Sequence, residues 1–268
     1  MTAEDAIALE EVPLADLRGQ PALWQSFLGV QTPWLEAGVT RWLDLVRPEG
    51  PWPAFVMGAL RPGQPQRLLG TIVGIWAPTA VSRFDDLLEG RCPTGHGGSD
   101  RPDGGVWHFI AATVGPEGEG LNLGRRLVGA ALDWLVAHTP HAEARTLSPA
   151  VGLPRLLTLL PEQDAVREAV LHVANAKGQP ALEILRLHLG AGATLDAILP
   201  ESRRDEVRSG RVTLRFAYAT DPAARDAQKA RYQAWLARRA AQIAAGAARP
   251  LGEAWLVADS ADTDVAAV

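Results

Sequence analysis

Three stretches of this sequence carry residues that can do chemistry. Thr146 and Ser148 stand two apart in Arg145-Thr146-Leu147-Ser148-Pro149, so an extended strand puts both hydroxyls on one face. His188 stands in Leu187-His188-Leu189-Gly190-Ala191-Gly192-Ala193, four residues before Gly192. A hydroxyl and an imidazole are suitable donors to an oxygen that gains negative charge. An imidazole titrating near neutrality can also deliver a proton. The third stretch, Val114-Gly115-Pro116-Glu117-Gly118-Glu119-Gly120-Leu121-Asn122-Leu123-Gly124, lies between a strand-like run and a helical pattern. Glycines at 120 and 124 let backbone amides turn outward without a Cβ clash. Amides at a helix N-terminus, with the helix dipole behind them, favour a phosphate. Each stretch has a plainer explanation when taken singly. Strand-to-helix turns favour glycine, Ser-Pro ahead of a helix is often an N-cap and first-turn pair, and a histidine near a helix end is often a cap or a packed side chain.

The surrounding pattern says which elements must position these residues. Val106–Val114 reads as a strand, and Leu123, Leu127, Ala131, Trp134 and Leu135 recur at helical spacing to about His138. Ala54–Leu60 and Leu68–Trp76, joined by Arg61-Pro62-Gly63-Gln64-Pro65, read as a β-hairpin. Ala142–Leu147 is short and extended, and 161–176 and 181–189 look helical. Arg211–Ala219, in which Val212, Leu214, Phe216 and Tyr218 alternate, is a strand. The first fifty residues, with Trp24, Trp34 and Trp42, read as helices, and Pro222 to Ala245 reads as a long Ala- and Arg-rich surface helix. The Gly- and Pro-rich stretch 90–105 reads as a loop, and 249–268 reads as a disordered tail. One domain is expected over 1–248, with its core at about 54–220.

Composition excludes several function classes. The 268 residues are 47% apolar and 21% charged, enough for a real core. A formal net charge of −5 argues against a nucleic-acid partner. No apolar run reaches the roughly 18 residues of a membrane span. The six histidines show no zinc-type spacing with one another or with Cys92, so no metal is expected. Cys92 is the only cysteine and has no base beside it in sequence, which argues against a nucleophile and makes a cytoplasmic setting the default. The acidic stretch Met1–Glu11 lacks the basic and apolar regions of a signal peptide.

The glycine turn resembles the acetyl-CoA signature of the GNAT superfamily, with Val114, Pro116, Gly120, Gly124 and Leu127 in register. Glu119 stands where that family has Arg or Gln, and Asn122 replaces its middle glycine. An acidic side chain near a pyrophosphate is unfavourable, so either Arg125 and Arg126 offset it or Glu119 points away. Together, the Arg145–Leu153 and Leu187–Ala193 segments resemble malonyl-CoA decarboxylase and the GNAT-like decarboxylating loading domains of polyketide synthases. The resemblance spans about Val106 to Ala219. Ordinary GNAT acetyltransferases often carry a tyrosine acid four residues before a glycine here, and His188 takes that place.

The resemblance implies an α/β (α+β) GNAT-like fold: a central mixed sheet with a splayed strand pair, helices on both faces and a long C-terminal helix. It implies that Val114, Gly120, Leu121, Asn122, Leu123, Gly124 and Arg125 hold coenzyme A, and that the strand before the turn takes up the pantetheine arm. It assigns His188 and Ser148, with Thr146 the close rival, to thioester chemistry. The expected reaction is decarboxylation of malonyl-CoA or methylmalonyl-CoA, with possible transfer to an acyl carrier protein. No cofactor beyond the CoA thioester is expected. Arg203 or Arg204 is a candidate for the substrate carboxylate on charge alone. An acetyl-CoA-dependent N- or O-acetyltransferase is the alternative, and a CoA-thioester sensor without turnover is a third reading.

Overall fold

A computed structural model describes residues 7–36, 40–50, 52–89, 104–158, 165–175, 177–202 and 208–245. Arg203 and Arg204, the loop over 90–103 and everything after 245, including the expected boundary at 248, lie outside the described residues. Contacts divide the chain into two compact units, Met1–Thr146 and Leu147–Val268.

The N-terminal unit opens with strand β1 (Ala8–Val12), then helices α1 (Leu14–Gly19), α2 (Pro21–Val30) and α3 (Thr32–Glu36) and a 3₁₀ turn at Arg41–Leu45. The hairpin follows as β2 (Ala54–Arg61) and β3 (Gln64–Ala77), then α4 (Phe84–Glu89), β4 (Val106–Val114), a 3₁₀ turn at Pro116–Gly118 and α5 (Leu123–His138). Strand β5 (Glu143–Pro149) starts in this unit and ends in the next. Strands β1 to β4 form an antiparallel series. β5 joins β4 in parallel from Val106↔Glu143 to Phe109↔Thr146, where the register ends while β4 runs on to Val114.

β3 shows why helices are needed on both sides. From Leu68 to Ala77 every residue is buried, whereas a sheet with one wet face alternates. At Gly70 the side-chain direction meets Leu127 of α5, and at the next residue Thr71 Oγ1 accepts a hydrogen bond from Gln31 at the end of α2. Neighbouring strand residues point to opposite faces, so α5 and α2 cover the two faces of β3. An aromatic cluster fills the α5 side, where the Trp134 ring stacks on Phe55 at 4.1 Å and meets Trp107 edge-on at 5.6 Å.

The C-terminal unit holds the end of β5, then α6 (Leu153–Leu157), α7 (Ala165–Leu171), α8 (Glu183–Gly190), β6 (Ala193–Leu199), β7 (Thr213–Tyr218) and α9 (Pro222–Ala244). The strand order along the whole chain is β1-β2-β3-β4-β5-β7-β6, with β6 and β7 antiparallel. This is the expected mixed sheet with a long C-terminal helix. Helix α9 turns one stripe inward, Arg225, Tyr232, Trp235 and Arg239, all buried.

Four local expectations change. β1 lies inside the segment read as helical, paired antiparallel with β2 from Ala8↔Leu60 to Val12↔Val56. Of the helix expected over 161–176, residues 161–164 and 176 lie outside the described residues and the helix ends at Leu171; beyond it the Asn175 side-chain oxygen accepts from the backbone of Lys177 and Gln179 and turns the chain. β5 runs two residues past Leu147, so Ser148 and Pro149 belong to a strand rather than to a helix cap. β6 follows α8 directly, in a stretch given no element on sequence.

Candidate active site

The glycine turn forms as the spacing suggests. Val114 ends β4 opposite Gly70, the 3₁₀ turn follows, and Asn122 caps α5 in the left-handed conformation at φ 50°. Gly120 is also left-handed, at φ 80°, with open space where a Cβ would stand. Asn tolerates that region better than other side chains, which is how it replaces a glycine here. The first amides of α5, those of Leu123, Gly124 and Arg125, have no partner four residues back within the helix. Leu123 and Leu127 turn their side chains into the core, so Leu123 can offer a ligand only its backbone.

The turn carries charges of both signs. Glu117 is gripped by Arg67 and by Arg61 at 2.7 Å, and the hydrogen bond from Arg67 holds its carboxyl below the usual range. Glu119 is exposed at the end of the 3₁₀ turn. Of the two arginines expected to offset it, Arg125 is exposed, and Arg126 directs its guanidinium to the Ile7 carbonyl at 3.3 Å. A groove of about 770 Å³ opens beside the start of the turn, between Gly29 and Val30 of α2 and Leu68, Leu69, Pro116 and Glu117.

In the C-terminal unit, three side chains from three elements form one row. Ser148 Oγ lies 2.9 Å from His188 Nε2, and His188 Nδ1 lies 2.6 Å from the Tyr218 hydroxyl. α8 buries Leu185, His188 and Leu189, positions three and four apart, so helical periodicity carries His188 inward. β7 buries Leu214, Phe216 and Tyr218 by alternation, and the Phe216 ring lies against His188 at 4.5 Å. Gly192 closes the segment after His188 for a packing reason: at φ 90° its Cβ would stand 2.6 Å from the Arg225 carbonyl of α9.

Burial sets the protonation of the row. His188 is 1% exposed, and desolvation pushes its pKa down to about 3. The imidazole is therefore neutral near pH 7, which corrects the expectation that it titrates near neutrality. Tyr218 is buried too, and the same desolvation raises its pKa, so its hydroxyl stays protonated. A neutral imidazole carries one N–H, which leaves two hydrogen-bond patterns. In one, Tyr218 donates to Nδ1 and the Nε2–H donates to Ser148, whose own proton is free to donate onward. In the other, Ser148 donates to Nε2 and the Nδ1–H donates to Tyr218.

The structure thus brings Ser148 and His188 together. Thr146 points to the same side of β5 and its buried Oγ1 has no partner among the described residues. Sequence reasoning missed Tyr218 as a member of the row, although the inward phase of β7 was legible from its alternation. Among the described residues no group of His, Cys, Asp and Glu is placed to hold a metal, and no helix is long and apolar enough to cross a membrane.

No protein-family model matches the chain, and no curated protein sequence does. Solved structures do match. Malonyl-CoA decarboxylase from Cupriavidus metallidurans is 17% identical over 85% of this chain and 64% of that one, with a TM-score of 0.61. The loading GNATL domain of CurA from Lyngbya majuscula is 16% identical over 80% of this chain and 98% of that one, at 0.54. GphF GNAT-like decarboxylase, solved with isobutyryl-CoA, is 16% identical over 80% of this chain and 100% of that one, at 0.53. This chain thus spans under two thirds of the Cupriavidus decarboxylase but nearly all of the two GNAT-like domains. At these identities the likeness concerns architecture, and the chain has the GNAT-like fold.

Proposed function

We propose that this chain is an enzyme that decarboxylates malonyl-CoA or methylmalonyl-CoA. The observation that carries the reading is the buried contact at 2.9 Å between Ser148 and His188, two residues 40 apart in sequence. Two motifs that resemble decarboxylase segments thereby meet in space. The fold likeness to malonyl-CoA decarboxylases and to a GNAT-like decarboxylase solved with an acyl-CoA supports the same reading.

The chemistry follows from the neutral row. Loss of carbon dioxide leaves the electrons of the broken C–C bond in a thioester enolate, whose oxygen becomes negative. Ser148, with Nε2–H donating to its oxygen, is left with an O–H to give that oxyanion. One such donor is worth roughly 3–4 kcal/mol of barrier. The enolate carbon then takes one proton, and Ser148, His188 and Tyr218 form a chain along which it can be passed. The sum consumes one proton per carbon dioxide released. Thr146, with a buried hydroxyl that has no partner among the described residues, is a second donor of the same kind.

On this reading the α5 amides hold the CoA pyrophosphate, and the substrate thioester is the one small molecule required, with no resident cofactor. On the same reading an acyl carrier protein is the candidate acceptor of the product acyl group, as the resemblance of the Arg145–Leu153 and Leu187–Ala193 segments implies. The deciding experiment mixes the full chain with malonyl-CoA or methylmalonyl-CoA, with and without a carrier protein, and follows products by mass. Acetyl-CoA or propionyl-CoA is expected. Persistence of malonyl-CoA while an amine is acetylated from acetyl-CoA would favour the acetyltransferase reading instead.

A further inference from the structure

The chain just past β5 combines exposed apolar and cationic side chains. Val151, at 47% exposure, is the most exposed large apolar side chain among the described residues. It stands three residues beyond Ser148, a span of at most about 10 Å. Arg155 follows on α6 and is exposed as well.

The segment that leads into β7 is bonded alongside. The Gly152 amide donates to the Arg208 carbonyl at 3.2 Å, and the Ala150 amide donates to the Val212 carbonyl at 3.0 Å. At Gly210 the side-chain direction meets Pro154 at 3.5 Å. These contacts set the exposed Arg208 and Arg211 beside Val151 and α6. Among the described residues of 150–158 and 200–212, three are arginine and one, Glu201, is acidic. Glu201 pairs with Arg211 at 3.3 Å, which leaves Arg155 and Arg208 as the local excess. The whole chain, by contrast, has a formal net charge of −5. An apolar centre with arginines at its rim suits a protein partner whose own surface is acidic.

We propose that Val151, Arg155 and Arg208 form a docking surface for an acidic acyl carrier protein, which presents its phosphopantetheine thiol to the Ser148–His188 row. The decarboxylated acyl group then moves by thioester exchange. The carrier sulfur bonds the carbonyl carbon, the bond from that carbon to the CoA sulfur breaks, and the thiol proton passes to the departing CoA thiolate. This role rests on the decarboxylase reading above and adds to it the surface that receives the acceptor.

The test follows acyl transfer by mass, using the full chain, malonyl-CoA and two acceptors. One acceptor is an acidic holo-acyl carrier protein. The other is free pantetheine, which has the same thiol but no protein surface. The double variant Arg155→Glu and Arg208→Glu is expected to raise the KM for the carrier about tenfold, while transfer to pantetheine and decarboxylation of malonyl-CoA stay within about twofold. Val151→Asp, at the apolar centre, should act in the same direction. Added salt should raise the carrier KM of the natural chain more than that of the double variant. An unchanged carrier KM in both variants overturns the docking surface, as does a chain that decarboxylates malonyl-CoA but transfers nothing to the carrier. An equal loss with malonyl-CoA also overturns it, since the arginines would then serve CoA itself. A natural chain that leaves malonyl-CoA intact overturns the decarboxylase reading, and the docking role with it.

Discussion

On the proposed reading, residues 118–124 would meet a ligand with backbone, whereas 148, 188 and 218 would meet it with side chains. The turn is exposed and local, and its conformation tolerates Asn122 where a glycine is usual. The row is buried, assembled from β5, α8 and β7, and each member is satisfied by the next. A backbone site keeps its chemistry when side chains drift, provided the φ angles survive. A side-chain site loses a donor with one substitution. The two therefore predict opposite sensitivities, and mutagenesis can break or sharpen the contrast.

The largest effect is expected at the row. Ser148→Ala removes the oxyanion donor and should lower kcat roughly 100-fold with little change in KM, read from initial rates of malonyl-CoA consumption. Equal losses in Thr146→Ala and none in Ser148→Ala would exchange the two hydroxyls. Tyr218→Phe keeps the ring and removes the partner of Nδ1, so a loss of about tenfold in kcat is expected. With its folded pKa at about 3 against an ordinary 6.5, His188 stays neutral between roughly pH 5 and 8 and should give no inflection in the rate there. The same depressed value makes stability fall as pH drops below about 6.5 toward 3, where the unfolded chain binds a proton the folded one refuses. Urea unfolding at stepped pH measures it, and His188→Gln should flatten that part of the curve.

Smaller effects are expected at the turn. Glu119→Gln removes an exposed negative charge beside the α5 amides and should tighten CoA a few-fold, more at low salt than at high. Asn122→Gly relieves a left-handed non-glycine residue and should leave CoA affinity within about threefold while changing stability by about 1 kcal/mol or less. A tenfold loss of affinity there would show that the Asn122 side chain takes part, and the contrast between the two sites would fail.

How much of this was legible in the sequence follows the same division. The turn could be read because strand, glycines and helix are contiguous, so local spacing carries the site. Ser148 and His188 could be named from short motifs, but their contact depends on tertiary packing. Tyr218 could be placed on the inner face of β7, yet nothing local says that it meets a histidine 30 residues earlier. The neutral state of His188 is likewise a product of burial, invisible to a pattern of residue types. β1 was missed because Glu10 and Glu11 interrupt its apolar character, and Glu11 is accommodated by the Trp134 indole N–H at 2.7 Å. β6 does alternate, with Ala193, Leu195 and Ala197 buried, but two of its three inward residues are alanine and its Asp196 is tied to Arg215 on β7 at 2.5 Å.

The seat of Gly192 on the Arg225 carbonyl bears on where this chain can be shortened. The loop that ends the histidine helix is moulded against the first turns of α9, and Tyr232 and Trp235 are tucked into the same unit. A clone stopped before Pro222 would strip away that mould and expose two aromatic rings. It would be expected to aggregate, and failure of such a clone to turn over substrate would say nothing about the residues that perform the reaction.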